Sequence, residues 1–172
     1  MHQMITGGYA TTADAIGNGM LLLIENPEQQ ELLRSDRSLL RNFADEVLRR
    51  ASSIQGLFRR ATKDTVLLGV PIPKDAVIHV RFGAANVDAA QFEDPLTFDI
   101  SRENAKQQLA FSRGPHFCVG QPLAIREIMI AFAQILDRLD DLQVAPGAEL
   151  KRQEGLLFYS LESLPITFTP RT

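Results

Sequence analysis

In this 172-residue chain the residues best suited to chemistry lie between Phe111 and Gly120, which read Phe-Ser-Arg-Gly-Pro-His-Phe-Cys-Val-Gly. Cys118 is the only cysteine, set after a Gly-Pro turn and before Gly120. From residue 123 to residue 139 an apolar run has the length and pattern of a helix. A thiol at the mouth of a helix meets free backbone N–H groups and the positive end of the helix dipole, and both favour thiolate over thiol. The glycines remove Cβ atoms where backbone must approach something flat or bulky. A thiolate so placed serves as a nucleophile, as a redox sensor or as an axial ligand to haem iron, whereas a single cysteine is also often a small buried hydrophobe. Zinc is a poor match, because no second Cys–His pair stands at ligand spacing from His116 and Cys118.

Three further groups carry charge or hydroxyls at telling spacings. Glu46 and Arg49 stand three apart on an expected helix, hence on one face. Exposed, such a pair is worth at most about 0.5 kcal/mol; buried, it is costly to break from one side. Arg59 and Arg60 form either a solvated basic strand edge or a grip for carboxylates, which a guanidinium can bind through both oxygens. Thr11 and Thr12 follow Gly7 and Gly8 in a helix that also holds Gly17 and Gly19. Each interior glycine costs roughly 1 kcal/mol against alanine, so these mark close packing against another helix or a helix opened beside a ligand. The threonine hydroxyls can return hydrogen bonds to carbonyls one turn back and bend the axis.

With those residues in view, Phe-x-x-Gly-x-His-x-Cys-x-Gly resembles the cysteine-ligand loop of the cytochrome P-450 (haem-thiolate) monooxygenases, soluble bacterial type. Phe111, Gly114, His116, Cys118 and Gly120 fill its signature positions. Other landmarks follow in the family's order. Gly7-Gly8-Tyr9-Ala10-Thr11-Thr12 resembles the groove of the long distal helix, with Thr11 at the threonine that assists oxygen activation. Ala10 falls where the family usually carries an acid. Glu46-Val47-Leu48-Arg49 matches the Glu-x-x-Arg pair that helps hold the cysteine loop. A third cationic member of that group aligns with Thr97 here, and Arg102 is the candidate substitute. Arg59 and His116 match positions that contact haem propionates. Gly83 to Asp88 and Phe92 to Asp99 carry the Ala-Asn-x-Asp and Asp-Pro-x-x-Phe landmarks of the meander, and residues 155–160 resemble a substrate-facing turn.

The elements that must position these residues are legible in outline. Residues 4–24 read as the glycine-rich helix. Asn26-Pro27-Glu28 signals a helix start with Asn26 as N-cap and Pro27 in the first turn, ending near Arg34. A helix from about residue 38 to 51 carries Glu46 and Arg49. Strands are expected at residues 57–62, 65–68 and 77–82, forming one small sheet, with His79 a core or edge histidine. The run at 123–139 is apolar nearly all round and is expected to be buried. Short strands are expected around residues 142–144 and 164–169. The implied fold class is α+β, mainly α: the C-terminal part of the cytochrome P-450 fold, as one truncated domain over residues 1–172.

Composition bounds the rest. Hydrophobic residues make up 45% and charged residues 23%, ordinary values for a globular domain. A net charge of −3 and a pI near 5.6 argue against nucleic acid or an anionic membrane surface as partner. No apolar run approaches the span of a bilayer, no signal peptide is evident, and one cysteine fits a reducing cytoplasm. The resemblance implies haem b held by the Cys118 thiolate, a small apolar substrate, and a ferredoxin- or flavodoxin-type electron donor. It also implies a chain well under half the family's length, so that the missing N-terminal half, or a second copy, is the expected cover for its apolar faces. The truncation and Ala10 leave an alternative, a non-catalytic haem-binding or interaction module.

Overall fold

The computed structural model describes residues 7–171. Helix α1 (Ala10–Glu25) is followed by α2 (Pro27–Ser35), a 3-10 turn at Arg37–Leu39 and α3 (Leu40–Arg50). Strand β1 (Leu57–Arg60) pairs antiparallel with β4 (Val77–Val80), and β2 (Thr65–Leu67) forms a hairpin with β3 (Val70–Ile72). The short helix α4 (Phe82–Ala85) opens a long irregular stretch, which ends at α5 (Gln121–Arg138). Strands β5 (Leu139–Val144) and β6 (Ile166–Pro170) close the chain as an antiparallel pair. The class is therefore α+β and mainly α, as expected.

The core lies where α1, α3 and α5 meet. Phe43 of α3 sits edge-on to Phe132 of α5 at 4.5 Å between ring centres, and edge-on to Phe98 at 6.2 Å. Leu23, Val47, Ile128 and Leu136 are fully buried around them. Each large apolar side chain buried in this way stabilises the fold by about 1.5–3 kcal/mol. The glycines of the expected first helix differ in what surrounds them. A Cβ on Gly19 would stand 3.0 Å from Phe132 and 3.1 Å from Val47, so Gly19 lets three helices approach closely. A Cβ on Gly8 would meet nothing within 4 Å, so packing does not require that glycine.

Several expectations shift. The first helix is regular only from Ala10, because the backbone bends at Tyr9; residues 4–6 lie outside the described residues. Asn26 precedes α2, but its side chain does not cap it. Its amide donates to the Leu22 carbonyl at 2.7 Å and so closes α1 instead. The strands expected to form one sheet make two separate pairs, β1–β4 and β2–β3. The β2–β3 hairpin turns through Leu68 and Gly69, both at positive φ, which matches the twist of its strands. Phe82 is buried at the start of α4 rather than ending a strand.

The largest correction concerns α5. It was expected to be buried all round, yet only Ile125, Ile128, Phe132 and Leu136 are buried, at helical spacing along one stripe. On its other faces Leu123 and Ile130 are 56% and 57% exposed. Apolar residues bury only where another element lies against them, and among the described residues nothing covers that side.

Candidate functional site

Beneath the candidate site, α3 supplies a closed polar network. The Glu46 and Arg49 side chains are 0% exposed and form a two-pronged pair, Nε to Oε2 at 2.7 Å and Nη2 to Oε1 at 2.8 Å. The remaining Arg49 N–H groups donate to the carbonyls of Asn86 (2.8 Å), Pro95 (2.7 Å) and Thr97 (3.0 Å), so every guanidinium proton is used. Glu46 Oε1 also accepts from the Asp99 N–H at 3.1 Å and from Arg102 Nε at 3.3 Å. Arg102 thus takes the third cationic place expected near Thr97, while Thr97 contributes its carbonyl. Phe92 lies under the Arg49 guanidinium, 5.1 Å from its ring centre. Burial pulls the neighbouring Arg50 guanidinium below its usual range, with the nearby charge of Arg49 adding to the effect.

From that network the irregular stretch is tied down towards the thiol. Asn86, fully buried, accepts from the Leu109 N–H at 2.7 Å through Oδ1. Gln108 accepts from the Ala110 N–H at 2.7 Å. The loop then turns through Ser112 (φ 63) and Gly114 (φ 76), both left-handed. The Phe111 carbonyl accepts the Cys118 N–H at 3.0 Å, and the Cys118 carbonyl accepts the Gln121 N–H at 3.2 Å as α5 begins. The cysteine is thereby held three residues before Gln121, the first residue of α5.

Around the thiol the surface is bare. Residues 113–119 are all exposed, including Phe117 at 50%, Val119 at 97% and Cys118 itself. A Cβ on Gly114 would meet nothing within 4 Å, and one on Gly120 would meet only the Cys118 Sγ, at 3.7 Å. Among the described residues, the Val119 and Gly120 N–H groups donate to no acceptor. Among the described residues neither of these N–H groups donates to the Cys118 Sγ. Soft sulfur, glycine-lined open space and flanking apolar side chains together fit a flat apolar group with a metal that accepts thiolate. Among the described residues no cluster of three His, Cys, Asp or Glu side chains could hold a metal ion.

The other site residues fall as follows. Thr11 Oγ1 donates to the Gly7 carbonyl at 2.8 Å, the back-bond its position suggested, and Ser53 Oγ donates to the Thr11 carbonyl at 2.7 Å. Arg59 is exposed on β1 and, among the described residues, donates only to the adjacent Phe58 carbonyl, at 2.9 Å. Arg60 is engaged with the Asp75 carbonyl at 3.2 Å. His116 is exposed in a 3-10 turn at Gly114–His116. Among the described residues neither Arg59 nor His116 has an acidic partner. Sequence reasoning missed Asn86 and Asn18; the first lies inside the Ala-Asn-x-Asp landmark, which was the available signal.

A lone cysteine on a glycine-bearing loop ahead of a helix, braced by a buried Glu–Arg pair, defines the haem-thiolate class. The cytochrome P450 family model matches residues 1–167, and the chain belongs to that family. It is 40% identical over 165 residues to Cytochrome P450 CYP107DY1 of Priestia megaterium, covering 96% of this chain and 40% of that protein. Its fold is similar to Mycobacterium marinum cytochrome P450 CYP150A6 in the substrate-free form, with a TM-score of 0.94 and 36% identity over 98% of this chain and 43% of the other. It is also similar to CYP109E1 from Bacillus megaterium in complex with corticosterone, at TM-score 0.92 and 36% identity over 95% and 44%. The chain therefore spans about 40% of the length of the curated relatives it matches. Family members bind haem through a cysteine thiolate, and Cys118 is the only cysteine here. Among the described residues no helix is long and apolar enough to cross a membrane.

Proposed function

We propose that this chain carries the thiolate half of a bacterial cytochrome P450 monooxygenase, acting on a small apolar substrate with electrons from a separate ferredoxin- or flavodoxin-type donor in the cytoplasm. The observation that carries this is the exposed Cys118, seated by the Phe111 carbonyl on a loop tied back to the buried Glu46–Arg49 network. When bound, haem b supplies the chemistry that places one oxygen atom of dioxygen in a C–H bond and releases the other as water, using two electrons and two protons.

The chain's own residues have narrower tasks. Cys118 would hold the iron, and Gly114 and Gly120 would leave room for the porphyrin, with Phe111 supporting the loop. Arg59 and His116, both without acidic partners among the described residues, would pair with the propionates. Glu46 and Arg49 keep the irregular stretch and the cysteine loop in register. Thr11 holds a proton at Oγ1, directed to the Gly7 carbonyl, and would be the group that assists oxygen activation. Ala10 holds none, so protons reach Thr11 through water or another group. The exposed apolar side chains are covered by the rest of a cytochrome P450 fold or by a second copy.

The test is spectroscopic. Haem-loaded, reduced protein exposed to carbon monoxide should show the red-shifted Soret band of thiolate ligation, and Cys118→Ala should lack it. A folded wild-type protein without that band sinks the reading. Ala10 favours one second reading, a haem-binding module without turnover. It predicts the same band but no consumption of reductant under oxygen, and hydroxylated product would eliminate it.

A further inference from the structure

Asn18 lies two turns along α1 from Thr11, is 1% exposed, and uses its whole carboxamide. Nδ2 donates to the Ala51 carbonyl at 3.2 Å and to the Tyr159 carbonyl at 2.8 Å, while Oδ1 accepts from Arg152 Nη1 at 2.9 Å. The Arg152 guanidinium then stacks 3.5 Å above the centre of the Tyr159 ring. Around this point the late loop is laced to its neighbours: Ser160 Oγ donates to Asp14 Oδ2 at 2.6 Å, and the Tyr159 N–H to the Ser53 carbonyl at 2.9 Å. The Gln55 N–H donates to the Leu157 carbonyl at 2.8 Å. Between these ties Leu156 and Phe158 are 65% and 48% exposed. A loop that leaves two large apolar side chains in the open is not fixed by their burial. It is fixed by polar bonds whose buried members cost about 1–3 kcal/mol each to leave unpaired.

We propose that Asn18 and Arg152 are positioning residues that set where the apolar tip at residues 156–158 stands, and through it which apolar substrates the site accepts. This rests on the haem-thiolate reading. Arg152 is committed to Asn18 and to the Tyr159 ring, so the tip selects by apolar contact rather than by charge. Because Ser53 also donates to the Thr11 carbonyl, the same clamp fixes the tip relative to the Thr11 turn.

Amide hydrogen exchange on the chain as it stands tests the clamp. In Asn18→Ala and Arg152→Met the amides of Gln55, of Tyr159 and of Gln153, which donates to the Ser160 carbonyl at 3.0 Å, should exchange about tenfold faster, with Asp99 and Cys118 unchanged. Arg152→Met keeps the core intact should Asn18→Ala fail to fold, and Arg152→Lys, which retains a donor and a cation, should keep the slow pattern. Faster exchange spread equally to Asp99, or no change at the three amides, overturns the proposal. In haem-loaded protein the preference for phenylimidazole over imidazole should fall about tenfold in Arg152→Met, the scale of one apolar group losing its contact. An unchanged preference there overturns the role in selection. Wild-type protein without the thiolate spectrum would instead sink the functional reading and leave the exchange pattern to judge the clamp alone.

Discussion

The Glu46–Arg49 network and the Cys118 loop are joined by one continuous stretch, yet they are opposite in kind. Around Arg49 every guanidinium proton has an acceptor, and neither its side chain nor that of Glu46 sees water. Around Cys118 the side chains stand open, and two backbone N–H groups find no acceptor among the described residues. The first region is finished without any ligand; the second is complete only when something lies on it. Rigidity has been placed beneath the reactive atom rather than around it, which is how a fold keeps an exposed ligand in position.

Breaking the closed side should have the largest effect. Glu46→Ala leaves Arg49 charged and buried without its counter-ion, at a cost of about 3–5 kcal/mol. Urea unfolding measures it, and a loss under about 1 kcal/mol would show that the network bears little of the fold. Removing Asn86 comes next. Asn86→Ala strands the Leu109 N–H, for an expected loss of about 1–3 kcal/mol, with faster exchange at Leu109 and Cys118 but not within α2.

On the open side the sign of the comparison reverses. Arg59→Met and His116→Ala should each change stability by less than about 0.5 kcal/mol while weakening haem binding severalfold in a titration. Stability losses as large as those in α3 would mean that these residues serve the fold instead.

The smallest effect lies far from both regions. Two hydrogen bonds from Ser38, the side-chain one the stronger, hold the Asp36 carboxyl below its ordinary range. Its folded pKa is therefore lower than its unfolded one. The stability it contributes is present above the unfolded value and fades as pH falls through the folded one. The difference in stability between wild type and Asp36→Ala should accordingly be flat near neutral pH and shrink in acid.

How much of this was legible in sequence follows from the range of each interaction. Glu46 and Arg49 are three apart, so their pairing needs only a helix. The place of Arg102 in the same group needs the irregular stretch to fold back by a whole layer, and no periodicity encodes that. The Cys118 loop was readable because its geometry is local, two turns and a helix start. The error at α5 has a different origin: an apolar run states what a helix can bury, and Leu123 and Ile130 stay exposed because the described residues offer no facing element. Asn26 shows competition between neighbours. Its side chain suits an N-cap, but a backbone at φ −130 and ψ 76 turns it back to the end of α1. Gly8 and Gly19 looked alike in sequence, and only the fold shows that Phe132 and Val47 fill the space beside one and nothing fills it beside the other.

Iron-edge X-ray absorption on the haem-loaded chain tests most directly whether the open side exists for the sulfur. A sulfur in the iron's first shell, absent from Cys118→Ala of equal stability, is the result expected here. Iron coordinated only by nitrogen and oxygen in the wild-type protein would contradict it.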